Sequence, residues 1–233
     1  MTDHALPGGF PIYATGASES KRAVIVVQEA FGVNDHIRDV ADRLSDEGYF
    51  AVAPQLFHRD GSPEVPYDDF KQAMPLMGNL TKDGITNDLN ATTNFLATLG
   101  FGPTNIAVVG FCMGGTVAFY AATLGTVGAA ASFYGGGLAT GRFGFPPLVE
   151  LAPELKSPWL GLYGDLDQSI PAEQVEELRA ITDALTVTTE IVRYPDAEHG
   201  FHCDARPDAY NEAAALNAYE RTLDFFAQHL TDK

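Results

Sequence analysis

Ile106-Ala107-Val108-Val109-Gly110-Phe111-Cys112-Met113-Gly114-Gly115 is the stretch from which the rest of the chain is read. The apolar run Ile106 to Val109 is strand-like and ends at Gly110, and a helix-compatible segment, Thr116 to Thr123, follows. Between them stands G-x-C-x-G, the pattern of a sharp strand-to-helix turn that lifts one reactive side chain above a sheet edge. Glycines flank the cysteine because such a turn leaves no room for a Cβ on either side. The following helix aims its N-terminus at the turn, where its partial positive charge favours a thiolate and a developing oxyanion. Taken alone, the motif fits a second reading about equally well, with Cys112 a small buried hydrophobe of an ordinary βα unit.

Outward from the turn, strand and helix alternate. Gly8 to Ala14 reads as a short edge strand, and Arg22 to Val27 (RAVIVV) as a strand buried on both faces of a parallel sheet. It runs into Gln28-Glu29-Ala30-Phe31-Gly32-Val33-Asn34 and a helix from about Asp35 to Glu47, with Ile37, Val40, Ala41 and Leu44 as its apolar stripe. Tyr49 to Ala53 is the next strand. Gln55 to Leu80 is rich in Pro, Gly and Asp and reads as a long irregular connection, functional or mobile at that length. Asp83 to Leu99 is a helix, and Asn105 to Val109 leads into the cysteine turn. Val127 to Phe133, Trp159 to Tyr163 and Val187 to Tyr194 are further strands. A second long loop runs from Tyr134 to about Ser157, and Pro171 to Ala184 and Pro207 to Leu230 are helices. The pattern predicts one α/β domain over residues 1–233, with a mostly parallel central sheet and helices on both faces.

A net charge of −17, from 31 acidic against 14 basic residues, argues against nucleic acid as a partner, since phosphate binding needs clustered Lys and Arg. Cys112 and Cys203 are too few for a disulfide framework and lack zinc-ligand spacing, so no metal or cofactor is expected. Met1 to Ser18 has no basic stretch followed by an apolar one, and no apolar run reaches membrane-spanning length. The expected place of work is the cytoplasm, with no membrane partner.

Nucleophilic acyl transfer needs a nucleophile, a base for its proton and an acid that orients the base. Cys112 follows one strand, Asp165 and Asp167 follow a later one, and His199 follows the last. This is the chain order of the α/β-hydrolase arrangement, and residues at the carboxyl ends of parallel strands converge despite their separation. Each has a plain alternative: the aspartates suit a glycine-containing turn, and a lone histidine usually decorates a surface loop. Three in the right order, each at a strand end, outweigh those alternatives. Between Asp165 and Asp167 the pattern does not choose.

The chain resembles the dienelactone hydrolases. The segments that carry the resemblance are Gly110-Phe111-Cys112-Met113-Gly114-Gly115, Gln28 to Asn34, Asp167-Gln168-Ser169-Ile170-Pro171 and His199-Gly200-Phe201. The likeness runs from about Gly8 to the last helix. It implies a single-domain α/β-hydrolase that opens an unsaturated lactone or related ester through a thioacyl intermediate, with Cys112 as nucleophile and His199 as base. Asp167 is the implied acid, because the family's acid stands in D-x-x-[VI]-P. Glu29 is implied to contact the resting thiol and help form the thiolate. The backbone N–H groups of Met113 and Ala30 are implied to hold the oxyanion.

In the same family two arginines hold a substrate carboxylate. Arg206 stands in the place of one. Residues 55–80 hold no clear counterpart of the other: Arg59 comes too early and reads as structural, and Lys71 is only a candidate. Phe31 and Tyr134 are expected as pocket walls. Cys203, close in sequence to His199, suggests oxidative pairing with Cys112. A general carboxylesterase or thioesterase on the same scaffold, or a binding protein without turnover, are the rival readings.

Overall fold

A computed structural model describes residues 2–6 and 8–233. Eight strands form one sheet in the order β1-β2-β4-β3-β5-β6-β7-β8. They are β1 (Thr2–Leu6), β2 (Phe10–Thr15), β3 (Arg22–Val27), β4 (Tyr49–Pro54), β5 (Ile106–Phe111), β6 (Ala129–Phe133), β7 (Trp159–Gly164) and β8 (Thr189–Tyr194). β1 and β2 pair antiparallel and form one edge; every pairing from β4 through β8 is parallel. The expected mostly parallel sheet is what the chain builds.

The middle strands β4, β5, β6 and β7 are buried along their whole length, which requires cover on both faces. The cover comes from α1 (Asp35–Asp46), α2 (Phe70–Gly78), α3 (Lys82–Thr98), α4 (Met113–Leu124), α5 (Leu148–Leu151), α6 (Ala172–Thr182) and α7 (Glu212–His229). α1 starts where Asn34 accepts a hydrogen bond from the Ile37 amide at 3.2 Å. α4, packed on β5 and β6, is buried almost all round and therefore shows no amphipathic stripe in its sequence. β8, at the far edge, buries only Ile191 and Tyr194.

The structure differs from the sequence reading in its connections. Gln55 to Leu80 is not irregular throughout, because α2 lies within it. The helix is short, buries only Ala73 and contains Pro75, which removes one of its few internal hydrogen bonds, so no helical period stands out. It begins where the Asp69 carboxylate accepts from the Gln72 amide at 3.3 Å. α4 starts at Met113, directly after the cysteine, rather than at Thr116. α7 starts at Glu212, capped by Asn211, rather than near Pro207. The buried residue of α2, Ala73, belongs to a small separate cluster with Ala30, Phe31 and Val65, while Leu76 and Met77 pack against the main core as well. No helix among the described residues is long and apolar enough to cross a membrane.

Candidate active site

The parallel strands end on one side of the sheet, and the segments singled out above leave from those ends. Cys112 joins β5 to α4 at φ 54° and ψ −117°, a conformation rare for a residue with a side chain. The turn is held from outside. The Cys112 amide donates to the Phe133 carbonyl at 3.0 Å, and Ser132 Oγ donates to the Gly115 carbonyl at 2.7 Å while accepting from Trp159 Nε1 at 2.9 Å. A Cβ at Gly110 would collide with the Gly114 carbonyl, and one at Gly114 with the carbonyls of Val27 and Gln28. Close backbone approach is therefore the reason for these two glycines. Met113 is the first residue of α4, so its amide N–H lacks an intrahelical partner.

His199 lies in the loop after β8. Its Nδ1 is 2.6 Å from Asp167 Oδ2, in the loop after β7. The other Asp167 oxygen, Oδ1, accepts from the Ser169 amide at 2.8 Å and the Ser169 hydroxyl at 2.6 Å. Burial alone would raise the Asp167 carboxyl, yet the bonds from His199 and Ser169 hold it below its ordinary value. Burial alone would lower His199, but the charge of the neighbouring Cys112 sulfur, together with Asp167, raises it to about 10. Asp165 faces elsewhere: Arg193 Nε donates to its Oδ1 at 2.6 Å. Of the two aspartates, Asp167 is the one brought to the histidine.

Glu29, after β3, is buried and lines the same cavity as Cys112 and His199. Its Oε1 accepts from the Tyr134 hydroxyl at 3.1 Å, and its buried Oε2 has no hydrogen-bond partner. Burial and the Glu29 charge hold the Tyr134 phenol well above its ordinary value, so it donates rather than ionises. Tyr134 itself was expected on the pocket wall. It is fully buried and not among the residues lining the cavity, because it reaches Glu29 from beneath. Ala30 is buried beside Glu29.

The cavity has a volume of about 920 Å³. Phe31 lines it as expected, with the Arg206 guanidinium 5.8 Å from the centre of its ring and 5.9 Å from that of Tyr67. Lys71 does not line it, and Arg59 is bound at 2.8 Å to Asp88 of α3, a structural pairing. The cation that sequence reasoning missed is Arg142, in the loop after β6, which lines the cavity with Arg206. A lone arginine in a long loop carries no periodic or motif signal. The ion pairs supply one in hindsight. Among the described residues, seven of nine arginines have an acidic partner, and the two without are Arg142 and Arg206. Asp68, Glu198 and Asp208 add negative charge to the same lining.

Both cysteines are free thiols. Cys203 is buried and donates to the Tyr67 hydroxyl at 3.3 Å, and burial followed by the Glu29 charge pushes it up to about 12. A thiol held protonated in this way exchanges and oxidises slowly, which counts against the suggested pairing with Cys112. Among the described residues no group of three or more His, Cys, Asp and Glu is placed to hold a metal ion.

The chain as a whole is similar to known proteins. The model of the dienelactone hydrolase family matches residues 10–230. A protein of Salmonella typhimurium, provisionally named a carboxymethylenebutenolidase, is 40% identical over 208 residues, covering 88% of this chain and 77% of its own. One of the same name from Yersinia pestis is 39% identical over 212 residues, covering 88% and 78%. The crystal structure of a provisionally named dienelactone hydrolase from Klebsiella pneumoniae superposes with a TM-score of 0.89 at 35% identity, over 98% of each chain.

Proposed function

Because the chain belongs to the dienelactone hydrolase family and is a carboxylic ester hydrolase, we propose that it opens a carboxylate-bearing lactone of the carboxymethylenebutenolide type, or a related ester, through a thioacyl intermediate on Cys112. The observation that carries the reading is His199, bonded to Asp167 on one side and set against the Cys112 sulfur on the other.

The thiolate attacks the substrate carbonyl carbon, and the amides of Met113 and Ala30 hold the oxyanion. The thiol proton is drawn off with the help of the unpartnered Glu29 Oε2, which Tyr134 keeps in place, and comes to rest on His199. Collapse breaks the C–O bond, and His199 gives a proton to the leaving oxygen. Water, deprotonated by the same imidazole, then attacks the thioester, releasing the acid and restoring the thiol. Each oxyanion donor fixed before reaction contributes on the order of 3 kcal/mol to the transition state.

The anionic substrate is supported by the two arginines that have no acidic partner, both on the cavity. A guanidinium left unpaired on a strongly acidic chain is a ready counter-ion for a carboxylate. Two kinetic comparisons test the proposal. Cys112→Ala should lower kcat by at least about 10³-fold, and undiminished turnover would refute nucleophilic catalysis there. Arg206→Ala and Arg142→Ala should each raise KM for a carboxylate-bearing ester roughly tenfold, from a charge-assisted hydrogen bond at a partly exposed site, while sparing a neutral ester. Equal losses on both esters would remove the anionic part of the proposal.

A further inference from the structure

Four large apolar side chains stand out as exposed among the described residues: Phe70, Met74, Leu166 and Leu216. Scattered exposed hydrophobes are ordinary, as Leu216 on α7 is, but the other three are not scattered. Phe70 and Leu166 are 49% and 45% exposed and both line the cavity that holds Cys112. Met74 lies one helical turn beyond Phe70 on α2 and extends the same apolar surface outward. Phe70 is also placed from below, its ring 6.2 Å from that of Phe31 in an edge contact.

The size of the cavity points the same way. At about 920 Å³ it matches pockets that enclose ligands of many more atoms than a five-membered lactone. One half of the substrate is accounted for by Arg206 and Arg142. The other half is the leaving alcohol, which must pass His199 to receive its proton. Leu166 stands immediately before Asp167, the residue that holds His199, and lines the same cavity as both.

We propose that Phe70 and Leu166 form a subsite for an apolar leaving alcohol, so that the enzyme favours acyclic monoesters with a carboxylate in the acyl half and an alkyl or aryl group in the alcohol half. The inference rests on the Cys112 reading above and narrows its substrate class. Bond changes are those already given: the alcohol leaves with the proton from His199, and water supplies the acid's new oxygen.

The test is a series of monoalkyl succinates, methyl to hexyl, whose chemical reactivity hardly changes along the series. The wild-type kcat/KM should rise about two- to threefold per methylene, less than for full burial because the subsite is half open. In Phe70→Ala and Leu166→Ala the hexyl-to-methyl ratio should fall at least fivefold, and Phe70→Leu should restore most of it. Leu216→Ala, on α7 and away from the cavity, serves as the control for loss of an exposed hydrophobe. A flat wild-type series, a ratio unmoved by the two alanine variants, or no turnover of any member would overturn the subsite. Those outcomes are distinct from failure of the underlying reading, which would appear as Cys112→Ala retaining turnover of the methyl ester.

Discussion

Asp165 and Asp167 are separated by one residue, yet Arg193 Nε lies 2.6 Å from the first and His199 Nδ1 2.6 Å from the second. Their surroundings differ as much as their partners. The Asp167 side chain is buried and accepts three hydrogen bonds, whereas the Asp165–Arg193 pair is partly exposed and shares Arg193 with Glu176. Asp167→Asn should therefore lower kcat/KM by about 10²- to 10⁴-fold, as expected when the base loses its orienting anion. Asp165→Asn should cost about 1 kcal/mol of stability or less and leave kcat/KM within about threefold. Steady-state kinetics with urea denaturation of both variants decides between them. Matching activity losses would contradict the assignment.

The segment from His199 to Arg206 joins the chemistry to the sheet. His202 packs its ring 5.0 Å from those of Phe111 on β5 and Phe133 on β6, and 5.8 Å from His36 on α1. Burial, then the charges of His36 and Arg43, hold His202 well below its ordinary value, so it is neutral in the folded protein. The unfolded chain protonates it near pH 6.5, so below that pH the unfolded state binds the extra proton and stability falls as pH falls. The slope due to this one group is about 1.4 kcal/mol per pH unit between pH 6.5 and its depressed folded value. In His202→Phe that part of the slope should vanish, which urea midpoints at pH 5.5 and 7.0 would reveal. An unchanged difference between the two pH values would show that His202 is not the group being protonated. α2 is held more lightly: it buries only Ala73, in a small cluster with Ala30, Phe31 and Val65, and reaches the main core through the partly buried Leu76 and Met77.

A chain with net charge −17 repels the anion it is proposed to bind, and the arginines Arg142 and Arg206 oppose that field within the cavity. Range separates the two effects. At 0.01 M salt the Debye length is about 30 Å and the whole acidic surface acts on an approaching anion; at 0.15 M it is about 8 Å and only the nearest charges do. Raising salt between those values should therefore increase kcat/KM for a carboxylate-bearing ester by a few fold and leave a neutral ester unchanged. A decrease for the anionic ester would mean that the local arginines dominate the approach as well as the bound state.

Much of this protein is written in local sequence. The strand-turn-helix around Cys112 follows from apolar β-branched residues, two glycines that admit no Cβ and the helix behind them. The alternation of strands and helices led to a parallel sheet, and the order of cysteine, aspartate and histidine put all three at the carboxyl ends of strands. Tertiary structure alone decided that Tyr134 lies beneath Glu29 instead of on the wall, that α2 forms within a Pro-containing loop, and that Arg142 joins Arg206. Turn sterics and periodicity act between neighbours along the chain and leave their mark in its letters. Which loops meet over the end of a sheet depends on how distant segments pack, and no stretch of the sequence carries that by itself.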